Sequence, residues 1–303
     1  MEATGKLRAH LALLLTNLFF AINFTAVKYL IAEGLVFPFG LNFLRIAGSA
    51  ILFWILYFFN RKQPSKIANA DMPRLALCAL TGIAINQLLF IKGLSLTSSI
   101  HASLLMLASP ILITFIAAWL LKESLNFFKI LGLGLGISGA AILISLRTPG
   151  ANAPNILWGD VMVIVNAISY AFYFILVKPL MDKYSPVSVI RMVFTFGFFM
   201  VIPFCWNEFL STPWDKYSLA DYLILSQIVL CGTFLAYLFN IFGIHKLGAS
   251  IAGSYIYLQP LFAAVIAAVV LGEEISMYKL IAAACIFIGV YLARKPGYQQ
   301  VEE

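Results

Sequence analysis

The chain has 303 residues, 62% of them hydrophobic and only 11% charged, with 20 Lys and Arg against 13 Asp and Glu for a net charge of +7. Its mean hydropathy of +0.95 excludes an ordinary soluble fold, which needs about a quarter of its residues charged to keep its surface wet. The basic residues are scattered at the ends of apolar runs rather than gathered on one face, which argues against a nucleic-acid partner and for membrane orientation.

Apolar runs predict helices over about 10–31, 40–60, 74–93, 100–121, 127–146, 158–178, 188–206, 221–244, 250–271 and 277–293. Each can cross about 30 Å of hydrocarbon at roughly 1.5 Å per residue. None alternates polar with apolar as a spanning strand does, and helices satisfy their backbone N–H and C=O groups internally. The expected fold class is an all-α integral membrane protein of ten transmembrane helices. The first run is too long for a typical signal-peptide core and is expected to remain as helix one. Cys78, Cys205, Cys231 and Cys285 lie in or near apolar runs without metal-ligand spacing, so structural thiols are expected, with no cofactor and no metal. Sorting Lys and Arg by alternating loops puts 14 on one side and 5 on the other, with Arg45 inside a helix. The richer side should be cytoplasmic and hold both termini. The expected location is a plasma membrane, a bacterial inner membrane.

A repeat runs through the chain at an offset of about 150 residues. Gly82 falls on Gly232, Gly93 on Gly243, Ala102 on Ala252, Pro110 on Pro260, Leu121 on Leu271, Glu123 on Glu273 and Gly139 on Gly289. Lys28 falls on Lys178, and Arg45 matches Arg191 after a small shift. The expected domains are residues 1–148 (helices one to five), a linker at 149–156, residues 157–295 (helices six to ten) and a cytoplasmic tail at 296–303. Five helices is an odd number, so the second half must enter the membrane from the opposite side. Inverted repeats place a binding site near the bilayer midplane between the halves, and rocking them exposes it alternately.

Two stretches carry a family resemblance. His101 to Pro110 followed by Leu121-Lys122-Glu123-Ser124-Leu125, and Ser250 to Pro260 followed by Leu271-Gly272-Glu273-Glu274-Ile275, resemble the signature of the EamA family of the drug/metabolite transporter superfamily. The resemblance covers nearly the whole chain twice and implies a ten-helix exporter of amino acids or other small metabolites. Lys122 departs from the pattern where Gly272 keeps it.

Polar and aromatic residues at mid-membrane depth are the candidates for a substrate pathway, because lipid would penalise polar groups. Helix one offers Thr16, Phe20 and Asn23, which the repeat maps onto Asn166, Tyr170 and Tyr173 of helix six; each trio shares one helix face. Helices three and eight add Asn86, Gln87, Tyr237 and Asn240, and helix nine adds Tyr255 and Gln259. Arg45 and Arg191 either snorkel toward headgroups or act as gating pairs or attractors of a substrate carboxylate. Pro110 and Pro260 shape or hinge their helices. Glu123 and Glu273 are expected to cap the next helix, with ion coupling as the alternative. Gly132, Gly134, Gly136 and Gly139, with Ala282, Ala283, Ala284 and Gly289, are expected to pack helices five and ten closely, between the halves or with another subunit. Lys28 and Lys178 lean toward interfacial roles, and His101 and His245, near helix ends, toward solvated ones.

No Asp or Glu falls in the middle of a span, and Asp160 lies near an end. That disfavours cation-drug antiport, which relies on a buried carboxylate. The expectation is export of neutral or zwitterionic amino-acid-like solutes by a monomer or homodimer that is not an enzyme. The alternatives are a membrane receptor or scaffold, or a transporter of drugs or phosphorylated or sugar metabolites.

Overall fold

The computed structural model describes residues 2–59, 67–109, 112, 116, 127–145, 153–247, 255–256, 258–272 and 274–293, and no strand occurs among them. Helix α1 (Glu2–Ala32) is followed by α2 (Pro38–Phe59), then by α3 (Met72–Ala79) and α4 (Ile85–Leu96), joined through a π turn at Leu80–Ala84. A short α5 (Ser99–Met106) and then α6 (Phe127–Ser145) end the first half. The second half begins with α7 (Ile156–Lys183), α8 (Pro186–Leu210) and α9 (Leu219–Val229). A second π turn, Leu230–Leu235, leads into α10 (Ala236–Leu247), and α11 (Leu258–Leu271) and α12 (Met277–Ala293) follow. Among the described residues, six segments are long and apolar enough to cross a membrane: Gly5–Ala32, Pro38–Phe59, Asn69–Leu96, Ile156–Lys183, Pro186–Leu210 and Leu219–Gly243. The apolar helices α11 and α12 are shorter. Pro110, Glu123 and Glu273 lie outside the described residues. Pro260 is the third residue of α11 and is buried.

Several helices start earlier than hydropathy suggests, because capping residues extend them beyond the lipid-depth core. Asn155 begins α7 by accepting the Trp158 N–H, and Ser185 does the same for Ser188 at the start of α8. Ser218 and Asp221 form a reciprocal capping box at α9. The start of α2 is capped from outside its own sequence. The Glu208 carboxylate, near the end of α8, accepts the Phe39 N–H at 2.6 Å and the Gly40 N–H at 3.3 Å, placing an anion at the positive end of the helix.

Glycine sets how closely the two halves approach. A Cβ on Gly82 would lie 2.4 Å from the Tyr173 ring, and one on Gly232 would lie 2.6 Å from Asn23 Oδ1. The partners exchange between halves at the 150-residue offset, Gly82 with Gly232 and Asn23 with Tyr173. The same exchange relates Gly243, whose Cβ would meet Leu13 at 2.4 Å, to Gly93, whose Cβ would meet Val163 at 3.0 Å. The glycines of α6 and the small residues of α12 also join the halves. A Cβ on Gly289 would stand 2.6 Å from the Gly132 carbonyl oxygen, and one on Gly139 would stand 2.8 Å from that of Ala282.

Gly289→Ala must therefore push apart two backbones and is expected to lower stability by about 1–3 kcal/mol. Gly134→Ala, whose Cβ enters open space, is expected to leave the melting temperature unchanged or slightly raised. Thermal unfolding of the purified variants in detergent distinguishes the two.

Candidate functional site

A cavity lies between the halves, with about 90 Å³ of space open to the centres of water-sized probes. Seven positions of the repeat each contribute to its wall from both halves: Thr16 with Asn166, Phe20 with Tyr170, Phe24 with Phe174, Gln87 with Tyr237, Phe90 with Asn240, Met106 with Ile256 and Ser109 with Gln259. Gln87 Nε2 donates to Tyr237 Oη at 2.8 Å, so one pair of repeat partners is bonded directly. The remaining lining residues, Asn17, Asn23, Arg45 and Asn86, all belong to the first half. Its polarity is therefore lopsided although its outline is shared.

Arg45 defines that polar side. It is buried, at 2% exposure, in α2. Snorkelling is ruled out for it, because the guanidinium is directed into the protein and lines the cavity. Arg45 Nε donates to Thr233 Oγ1 at 3.1 Å, and Thr233 in turn donates to the Ile228 carbonyl five residues back. The π turn thus presents the hydroxyl that holds the arginine. Arg45 Nη1 has no hydrogen-bond partner among the described residues, and no Asp or Glu lines the cavity. An arginine keeps its charge in proteins, so this cation is buried with no carboxylate opposite it among the described residues.

Other residues of the same wall carry buried acceptors. Asn23 Oδ1, Gln87 Oε1 and Asn166 Oδ1 are buried and have no donor among the described residues. Asn86 and Asn166 are fixed by reciprocal bonds, each amide nitrogen donating to the other's backbone carbonyl, at 3.4 Å and 2.6 Å. Gln259 Nε2 donates to Asn17 Oδ1 at 2.7 Å, tying α11 to α1. The ring of Phe20 meets Tyr237 edge-on at 6.1 Å. Among the described residues, one arginine, several amide side chains and aromatic rings therefore line one cavity.

Three of the sequence candidates lie elsewhere. Tyr173 packs against Gly82 in the apolar core and is not part of the cavity wall. Tyr255 Oη pairs with His10 Nδ1 at 2.7 Å, away from the wall. Arg191 lies against the rings of Trp54 and Tyr57, at 4.2 and 3.7 Å from their centroids, in a cation–π arrangement. Lining residues outside the sequence candidates include Asn17, Phe24, Phe174 and Ser109. Phe24 and Phe174 stand one turn beyond Phe20 and Tyr170, so the repeat and the helical period together contained that signal. Thr233 had none, because its role depends on the π turn.

Two expectations about charged groups near helix ends are corrected. Lys28 is buried at 2% exposure and its ammonium donates to the carbonyls of Leu94, Ser95 and Thr97 at the end of α4. Lys178, its repeat partner, is exposed. His101 is buried rather than solvated, with Nδ1 3.0 Å from Asp160 Oδ2. The side chain of His245 lies outside the described residues.

A model of the EamA-like transporter family matches residues 7–145 and again residues 157–294. An uncharacterized transporter of Archaeoglobus fulgidus is 28% identical, over 96% of this chain and 99% of its own length. A probable terminal-alkyne amino-acid exporter of Streptantibioticus cattleyicolor is 27% identical over 74% of each chain. A solved crystal structure superposes with a TM-score of 0.62 at 18% identity, covering 96% of both chains, which shows a shared fold.

Removing a buried cation that lacks a counter-charge relieves its desolvation cost. Arg45→Met is therefore expected to stabilise the empty protein by about 1–3 kcal/mol. Arg191→Met loses its ring contacts and is expected to cost about 1 kcal/mol. Paired melting curves in detergent show whether the two changes have opposite signs.

Proposed function

The chain belongs to the EamA-like transporter family, and from that premise we propose that it exports neutral or zwitterionic amino-acid-like solutes by alternating access between its halves. It is a multi-pass integral membrane protein and a membrane transporter; the solute, direction and arrangement are the proposal. The observation that carries the reading is Arg45, a buried cation that has an unpaired donor and no carboxylate in the cavity wall among the described residues. A solute carboxylate supplies the missing charge by a charge-assisted hydrogen bond. The amide side chains of Gln87 and Asn166 in the wall then suit an ammonium group, and the rings of Phe20, Tyr170 and Tyr237 suit an apolar side chain. A doubly anionic phosphate would want several converging cations, and the wall offers one among the described residues. The probable amino-acid exporter among the relatives supports the same class of cargo.

Alternating access follows from the repeat. In the proposed arrangement ten helices form two inverted sets of five, residues 1–148 and 157–295, with both termini cytoplasmic in a plasma membrane such as a bacterial inner membrane. The exchange of glycine partners between halves and the doubled family match support it. Cross-half bonds flank the cavity on both sides, His10 with Tyr255 on one and Asp160 with Thr97 and His101 on the other. Breaking one set and then the other opens the cavity to each side in turn. The protein works as a monomer or homodimer.

The test is efflux from proteoliposomes that hold the full chain and a panel of labelled L-amino acids. Protein-dependent efflux of at least one zwitterion is expected, and Arg45→Gln is expected to lower its initial rate by about tenfold or more, since a hydrogen bond to a charged group contributes about 1.5–3 kcal/mol. No efflux across the panel, or unchanged kinetics in a normally inserted Arg45→Gln protein, would overturn the reading.

A further inference from the structure

No acceptor among the described residues takes the phenol proton of Tyr237. Tyr237 belongs to α10, just past the second π turn, and is 8% exposed. Two rings meet its own edge-on, Phe194 of α8 at 5.2 Å and Phe20 of α1 at 6.1 Å between centroids. Edge-to-face pairs of this kind fix a ring's orientation, so packing sets where the hydroxyl stands. Gln87 Nε2 donates to Tyr237 Oη at 2.8 Å, and that is the hydroxyl's one hydrogen bond among the described residues. A phenol that accepts an N–H keeps its own O–H to give. A buried donor left unused carries a desolvation cost, which an acceptor on a ligand relieves.

A second unused donor belongs to the same wall. Tyr237 and Arg45 both line the cavity and lie within electrostatic reach of each other. Thr233 accepts from Arg45 Nε, and Arg45 Nη1 has no partner among the described residues. One donor is cationic and comes from the first half; the other is neutral and comes from the second. No Asp or Glu among the described residues lines the wall to accept from either. The repeat is unequal here, since the first half holds Gln87 where the second holds Tyr237. An amide carries an acceptor as well as donors, whereas a phenol whose oxygen already accepts an N–H has chiefly a proton to offer. Two donors without an acceptor match a carboxylate, whose two oxygens only accept.

We propose that Tyr237 determines specificity by clamping the solute carboxylate together with Arg45, the phenol proton on one carboxylate oxygen and the guanidinium on the other. The inference rests on the reading of Arg45 as the carboxylate's partner and adds the second donor. The clamp joins α2 to α10, so both halves of the chain read the same group of the solute. An amine that lacks the carboxylate leaves both donors unused. A carboxamide in its place supplies one acceptor and turns an N–H of its own toward a donor. The clamp therefore ranks an amino acid above its carboxamide and above its amine.

The experiment is calorimetric binding to the purified full chain of apolar L-amino acids such as L-leucine and L-phenylalanine, each beside its amine, isoamylamine or phenethylamine. Tyr237→Phe keeps the ring and its packing and is expected to weaken amino-acid binding by about tenfold or more, since a hydrogen bond to a charged group is lost. Amine binding is expected to change by less than about threefold, the solute having no group for the phenol to hold. Tyr237→difluorotyrosine, fluorinated on both ring carbons beside the hydroxyl, donates more strongly and accepts more weakly, so amino-acid binding is expected to tighten. A merely structural role would weaken both ligands alike. Melting curves check folding, and if Tyr237→Phe does not fold, the fluorinated protein, which retains ring and hydroxyl, decides alone. Equal losses for both ligands in a folded Tyr237→Phe protein, or weaker amino-acid binding by the fluorinated one, would overturn the proposal. A wild-type preference for the amino acid that survives Tyr237→Phe undiminished removes the phenol contact alone. A wild type without that preference removes the carboxylate reading of Arg45 and the clamp with it.

Discussion

Close approach of the two halves at glycine is the constraint on which the rest of the structure depends. Gly82, Gly93, Gly232 and Gly243 each occupy a position where a Cβ would collide with an atom of the opposite half. In lipid there is little hydrophobic force between helices, so backbone proximity and packing must hold them. Two of these glycines lie in the π turns that interrupt the third and eighth runs. A π turn shifts the register of its helix and frees backbone groups. Here the freed groups have partners: the Thr81 carbonyl accepts the Ser169 hydroxyl at 2.7 Å, and Thr233 bonds back to Ile228. The same turn that admits Asn23 against Gly232 also holds Arg45 through Thr233. Packing and chemistry thus meet at one place.

That arrangement gives a cavity with a shared outline and an unshared charge. Repeat partners build most of the wall, as expected of a site lying between two related halves. Arg45 breaks the relation, because Arg191, its counterpart, is spent on Trp54 and Tyr57. Holding Arg45 unpaired costs the empty protein stability. A cargo that brings the counter-charge recovers it, so the strain falls on the state that should be short-lived.

Much of this was legible in the sequence. Composition and run length established the membrane, and pairing residues across 150 positions located Thr16, Phe20, Asn23, Asn86, Gln87, Asn166, Tyr170, Tyr237, Asn240 and Gln259, all of which line the cavity. Helical period failed for Tyr173 because its repeat partner Asn23 is small and polar where Tyr173 is large enough to fill the core. Distance from the helix end was a poor guide to burial. Lys28 and Asp160 look interfacial along their own helices, yet neighbouring helices cover them, and burial of that kind depends on tertiary packing. Thr233 and the π turns leave no periodic trace, since five or six residues of altered register resemble ordinary apolar helix.

The central claim is that a solute carboxylate completes the charge of Arg45. It is tested most directly by calorimetric binding to the purified wild-type protein of matched pairs, an L-amino acid beside the amine that lacks its carboxylate. Heat of binding from the amino acid, with affinity about tenfold or more above that of its amine, is the expected result. Equal affinity for both, or preference for the amine, would contradict the account.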